Sequence, residues 1–490
     1  MRLDRIVSAG EELQEALGRE HYLTLAGHKS EPEFHKIFRR HSQLTSADAL
    51  AAVSAAGSPA LLEWLVSLRV DRTVTRLEEQ QIRWQHDTVL TIDAREIEYL
   101  RVPIELANSA DRRYRIALDN ARSSAHAAGL NSMRRDRFIL EREEMARLGY
   151  PDYVDGIARL SGIDLARLAQ TARSFLAETK DMYTECLAPV VARRLGLTLD
   201  KLTRADAAWT FRADRFDAAF PADRLVETAQ IQMKEMGLDA WRSGRVRLDT
   251  QERPGKQARA FCVMVRVPEE VYLVIRPHGG HSDYRAFWHE LGHAMHFSSP
   301  SKDLSFQSRW LGDASVTEGF AMVWDHMTLV PAWLVKYVEL GKSDAKTLAL
   351  ELAVQELHLV RRYAAKLTYE LSLHRSNYDD MGSEYASALT AATCFQHPEQ
   401  DYLVDVDPGF YSARYLRAWQ MEAALRATLL ERFDEDWYCN PAAGRFLHEL
   451  MERGQGIPAD RLVEDVAGCG LSFEPVRVRL EEMLNLGVGR

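Results

Sequence analysis

Cysteine is scarce in this chain: there are five among 490 residues, at Cys186, Cys262, Cys394, Cys439 and Cys469. None stands in C-x-x-C spacing, so the sequence offers neither a zinc knuckle nor a disulfide framework. No apolar run approaches the roughly 20 residues that cross a bilayer. The N-terminus, MRLDRIVSAGEELQEAL, is charged throughout and has no apolar core of signal-peptide length. Stretches rich in Pro, Gly and Ser are missing, and no repeat recurs at a fixed period. Basic charge is not in excess: 62 Lys and Arg stand against 72 Asp and Glu, for a net charge of −10. That balance disfavours a nucleic-acid partner, which asks for a basic surface. The one dense basic stretch, Arg134-Arg135-Asp136-Arg137, is broken by an acid and reads as a solvated helix face. These absences predict a soluble, reduced, cytoplasmic protein with no membrane and no nucleic-acid partner.

What is present is helical patterning. RTVTRLEEQQIRWQHDTVL, DLARLAQTARSFLAETKDMYTECLAPVVARRL and DAKTLALELAVQELHLVRRYAAKLTYELSLHR are long, charged and periodic in apolar residues. Strand-like runs are few and fall within 245–276. The expectation is a mainly α fold. It divides into an N-terminal helical region, 1–200, and a C-terminal region, 201–490, or forms one continuous body.

The most informative stretch is His289-Glu290-Leu291-Gly292-His293, inside SDYRAFWHELGHAMHF (Ser282–Phe297). On a helix, side chains four apart share a face. His289 and His293 therefore present two imidazoles to one ion, and Glu290 lies beside them as a base. Two neutral nitrogen ligands with an adjacent carboxylate are what a catalytic zinc site needs. Gly292 costs about 1 kcal/mol relative to Ala in a helix interior, which close packing under a metal would justify. The remaining residues are apolar, so the helix is expected to be buried, and buried His and Glu need partners.

A third protein ligand lies downstream. The extended pattern H-E-x-x-H-x-x-G-x-x-H is excluded, because its Gly is His296 and its last His is Ser299. The nearby acids are Asp313 and Glu318. Glu318 is favoured as third ligand: it opens the helical run EGFAMVWDHMTLV, with Ser315 and Thr317 as candidate N-caps, and stands 25 residues after His293. His278, His281 and His326 are read as loop or packing residues, and Asp325 as a solvated acid that could instead orient a ligand imidazole.

HELGHAMH, followed by TEGFAMVWDHM, resembles the thimet oligopeptidase and oligoendopeptidase F family of zinc peptidases. The resemblance is specific over roughly 250–430 and weak over 140–240, and no motif in the first hundred residues contributes to it. It implies one Zn2+ held by His289, His293 and Glu318, with Glu290 as general base and then general acid. It also implies a two-lobed helical body around a deep cleft that admits short peptides, with a small β-sheet at the cleft edge. The strands predicted around Arg259–Cys262 and Val271–Ile275 match a region that pairs with the substrate backbone in that family. DPGFYSARYLRAW resembles the family's late Phe-Tyr-x-x-x-Tyr motif, which makes Tyr415 the oxyanion donor and Tyr411 a second substrate-contacting hydroxyl. One departure stands out. Where the family carries a His about ten residues before Tyr415, this chain has Asp405-Val406, leaving His397 or His281 as substitutes. Two alternatives stay open: a related helical metallocarboxypeptidase, in which Arg259, Arg276, Arg414 or Arg417 would grip a terminal carboxylate, and a degenerate member acting as a binding protein.

Overall fold

The computed structural model describes residues 2–485 apart from 240 and 258. The described residues are mainly helical, with few strands, as the periodicity predicts. Five strands occur among them: β1 (Val89–Ile92), β2 (Arg95–Glu98), β3 (Val246–Asp249), β4 (Phe261–Arg266) and β5 (Glu270–Val274). Seven helices matter most: α1 (Leu3–Leu25), α2 (Pro59–Asp87), α3 (His281–Ser298), α4 (Ala314–Asp325), α5 (Lys342–Leu373), α6 (Tyr411–Phe433) and α7 (Glu474–Asn485).

Two units share the chain, which visits them alternately. The first comprises residues 2–68, 213–350 and 414–485; the second comprises 69–212 and 351–413. The boundary expected near residue 200 falls inside the second unit. Helices α2, α5 and α6 each carry the chain from one unit into the other.

In the first unit, α1 and the helices after it bury Ile6, Leu13, Leu44, Leu61, Leu65 and Phe306 in one cluster. The sheet has the order β3-β5-β4: β3 is parallel to β5, and β4 is antiparallel to it with a bulge between Met264 and Arg266. Parallel pairing of β3 and β5 requires a crossover, and β4 supplies part of it. Gly279 and Gly280, both at positive φ (86° and 88°), turn the chain out of the sheet region and into α3. That region of φ suits glycine. The Asp283 carboxylate then accepts from the N–H groups of His278 and Gly279 and caps the helix start.

The second unit builds two further cores. Phe138, Tyr369, Leu373, Tyr378, Tyr385 and Leu389 form one. Strands β1 and β2, an antiparallel hairpin not expected from the sequence, close over Leu106 and Leu118 to form the other. The long periodic stretch at 164–195 is two helices, Leu165–Glu178 and Lys180–Leu195, separated at Thr179.

Candidate metal centre

Helices α3 and α4 pack antiparallel, and their contact creates the site. His289 on α3 lies level with Asp325 near the end of α4, and His293, one turn on, lies level with Thr317 near its start. The approach is close because Gly292 has no side chain. A Cβ there would lie 2.6 Å from Ala321 Cα and would overlap the Trp324 ring. The glycine therefore serves helix contact, and packing beneath a metal is not its reason.

Glu318 is not at the start of its helix. Asp313, with φ −78° and ψ 107°, is the N-cap of α4, and its carboxylate accepts from the Ser315 N–H at 2.9 Å. Ser315 and Thr317 lie within the helix, so neither is the cap. Asp313 also pairs with Arg417 at 2.9 Å and Arg414 at 3.4 Å, so it faces away from the histidines into a salt-bridged cluster of its own.

With the cap at Asp313, Glu318 projects from the second turn of α4 towards α3. One of its oxygens, Oε2, lies 3.4 Å from His289 Nε2 and 3.6 Å from His293 Nε2. Ligand atoms of His289, His293 and Glu318 all lie within 4.8 Å of one another, and the three residues could hold one metal ion. The donor set fits: two imidazole nitrogens and a carboxylate oxygen converge, as a three-ligand site with an open position requires. Both imidazoles are fixed from behind, His289 Nδ1 by Asp325 Oδ2 at 2.9 Å and His293 Nδ1 by Thr317 Oγ1 at 2.8 Å. That leaves each Nε2 for the ion.

Charge at the site is uneven. Burial opposes the charged form of His289, but hydrogen bonds to Asp325 and Glu318 outweigh it and hold its pKa well above the ordinary value. Burial lowers His293 to about 4, against the pull of Glu318. Two imidazoles facing one carboxylate need a single proton between them, and His289, with a second carboxylate behind it, takes it. Burial raises Glu290 to about 7, with His289 opposing and Glu318 reinforcing. The Cys262 N–H of β4 donates to Glu290 and ties it to the sheet.

Asp325 is buried, not solvated. Its other oxygen faces His326 Nε2 at 3.4 Å and Arg285 at 3.7 Å. His326 lies 3.0 Å from Glu422 of α6, and Arg479 of α7 pairs with Glu422 at 3.1 Å. A continuous buried polar chain thus runs from the His289 ring to the last described helix. The seven-residue spacing from Glu318 to Asp325 is the signal for the first step. No spacing in the sequence signals the contribution of Glu422 or Arg479.

Tyr415 lies in the first unit on α6. It is flanked there by Arg414 and Arg417, which hold the α4 cap, and lies 6.3 Å from the Trp419 ring. Further along α6, Met421 packs against Gly319, the residue after Glu318. Tyr411 belongs to the second unit, where its neighbour Ser412 donates to Glu370. Asp405, in the same unit, is held well below the usual carboxylate range. Burial alone would raise it, but Arg362, Lys366 and His397 dominate. It pairs with Arg362 and accepts from the Tyr385 hydroxyl at 2.9 Å. His397 is buried beside Tyr385, and His281 faces the Thr328 carbonyl at 3.3 Å.

Three of the four arginines considered for a terminal carboxylate already have acidic partners: Arg276 has Glu252, Arg414 has Glu63 and Asp313, and Arg417 has Asp313 and Asp460. Among the described residues, no helix is long and apolar enough to cross a membrane. No protein-family model and no curated protein matches the chain.

Proposed function

We propose that the protein is a zinc-dependent hydrolase that cuts peptide bonds in short peptides. The observation that carries this is the convergence of His289, His293 and Glu318 within 4.8 Å, with Glu290 next in sequence to the first of them. When bound there, zinc supplies Lewis acidity, polarising a carbonyl and acidifying water. Glu290 takes the proton from the attacking water and delivers it to the leaving amine. Its raised pKa, about 7, suits a group that must do both near neutral pH. Thr317 and Asp325 hold the two imidazoles in the tautomer that leaves Nε2 as ligand. The edge strand β4 lies beside Glu290, where it can pair with an extended peptide and bring the scissile bond to the base. Tyr415 donates to the developing oxyanion, and Tyr411 contacts substrate as a second hydroxyl. The five free cysteines fit a reducing, cytoplasmic setting.

Glu290→Gln tests the reading. It keeps volume and removes basicity, so zinc stays bound while turnover of a peptide library falls by roughly two to four orders of magnitude. Unchanged turnover with zinc in place would remove Glu290 from the mechanism.

A further inference from the structure

β4 is an edge strand, and its free edge is not open along its whole length. The N–H of Val271 donates to Arg245 O at 2.9 Å, and that of Ile275 to Asp249 O at 3.0 Å. The odd-numbered residues of β5 therefore turn their backbone groups towards β3. Met264 pairs with Val271 and Cys262 with Leu273. In an antiparallel pair, opposed residues either bond to each other or both point away. Met264 and Cys262 thus direct their N–H and C=O groups to the free edge. Glu290 takes the Cys262 N–H, leaving the Cys262 carbonyl for a peptide.

Helix α1 meets that edge two residues on. A Cβ on Gly18 would overlap the Met264 carbonyl oxygen and lie 3.1 Å from Val265 Cα. Beyond this point α1 continues over the sheet, where Tyr22 stacks on Tyr272 with centroids 3.8 Å apart and donates to Asp249 at 3.1 Å. A peptide strand lying on Cys262 therefore cannot run past Met264. At about 3.4 Å per residue, one or two residues fit between the bond beside Glu290 and the α1 backbone.

Positive charge is in excess at the closed end. Arg19, next to Gly18, lies 3.2 Å from Glu270; Arg247 and Arg266 each lie 2.8 Å from it. Glu15 is a second partner for Arg19 at 3.0 Å. Three guanidinium groups thus share two carboxylates, and each is roughly half exposed, at 43%, 46% and 51%. A free carboxylate complements that excess, whereas an ammonium group does not.

Building on the hydrolase reading above, we infer that the protein acts on the carboxyl ends of peptides: α1 closes the β4 edge at Gly18, so the chain loses a C-terminal residue or dipeptide in each cycle. The step is plain hydrolysis. The C–N bond breaks, the water oxygen joins the carbonyl carbon, and the leaving amine gains a proton.

The test gives zinc-loaded protein a decapeptide with free ends, N-acetylated, C-amidated, or blocked at both ends, and reads product masses. The free and N-acetylated forms should lose one or two C-terminal residues. Amidation should slow cleavage roughly tenfold or more, as expected for loss of one charge-assisted contact. Internal cleavage of the doubly blocked peptide, or dependence on the free amine, overturns the inference and leaves the hydrolytic function standing. No cleavage of any form removes both. A second readout needs no turnover. Zinc-loaded Glu290→Gln should bind a peptide labelled with a fluorophore at its N-terminus and bind the C-terminally labelled peptide roughly tenfold more weakly or worse; equal binding overturns the inference. Arg266→Ala, at an exposed position, should raise KM about tenfold with kcat little changed. An unchanged KM overturns the assignment of the carboxylate to this cluster.

Discussion

Asp325 Oδ2 lies 2.9 Å from Nδ1 of His289, and this contact decides which nitrogen of the first candidate ligand faces the ion. Asp325 is buried on α4 two turns beyond Glu318, so one helix supplies both a ligand and the support for another ligand. Asp325→Ala should lower zinc affinity by about 10–100-fold, the usual cost of losing such a support. Competition with a chromogenic chelator measures it. An affinity equal to that of the parent protein would mean that the His289 ring is held by packing alone.

The two acids between which the sequence leaves a choice separate cleanly in the structure. Glu318→Ala should abolish stoichiometric zinc, because two remaining histidines rarely hold the ion in a catalytic site. Asp313→Ala should leave zinc bound. It removes the α4 cap, worth about 0.5–2 kcal/mol, and takes a buried partner from Arg414 and Arg417, so the loss should show as a lowered Tm. Elemental analysis and thermal unfolding of both variants check this. Zinc lost from the Asp313 variant and kept by the Glu318 variant would reverse the assignment.

The part of the site carried by short-range spacing is legible in the sequence. Four residues between His289 and His293 place them on one helical face, and the carboxylate found with them is the one the downstream helical run points to. Failures came where tertiary contacts decide. Asp325 reads as a solvated acid because a helix face says nothing about what covers it. Gly292 draws attention, but its cause is Trp324 and Ala321 on the neighbouring helix. The Glu422–Arg479 pair joins residues 57 apart, with no motif linking them. The α1 contact with β4 joins Gly18 to Met264, and nothing in the first hundred residues announces it. The β1–β2 hairpin fails for a local reason: Asp93 and Ala94 form its turn at φ 47° and 63°, and Ala is an uncommon choice at positive φ.

Glu370 in the second unit allows a test by pH. It is fully buried, accepts from the Asp407 N–H at 2.8 Å, and receives the Ser412 hydroxyl. Burial, reinforced by Asp407 and opposed by Lys366, raises its pKa from 4.5 to about 8. The folded state therefore keeps a proton that the unfolded chain releases above pH 4.5. Stability from this group is highest below that value and falls as pH rises towards about 8, by up to about 1.4 kcal/mol per pH unit. Glu370→Gln has no such proton to lose. Its amide can accept from Asp407 and donate to Ser412. Its Tm relative to the parent should rise steadily between pH 5 and pH 8. Parallel Tm curves across that range would show that Glu370 is already ionised in the fold.

Tyr415 carries the remaining step. It sits on α6 between the two arginines that hold the α4 cap, six residues before Met421, which packs against the residue next to Glu318. Tyr415→Phe removes one hydroxyl and little volume, so folding and zinc content should be preserved. If that hydroxyl donates to the oxyanion alone, kcat should fall by roughly 10²–10³ with KM little changed. Asp405 sharpens the expectation, because its carboxylate is engaged by Arg362 and Tyr385 and an ionised acid cannot donate to a substrate carbonyl. Tyr415 is then the main protein donor, and its loss should fall at the upper end of the range. Tyr411→Phe should cost less and act mainly on KM. Equal losses of kcat in the two variants would mean that the hydroxyls work as a pair. No loss in either would remove α6 from the chemistry and leave the oxyanion to the metal alone.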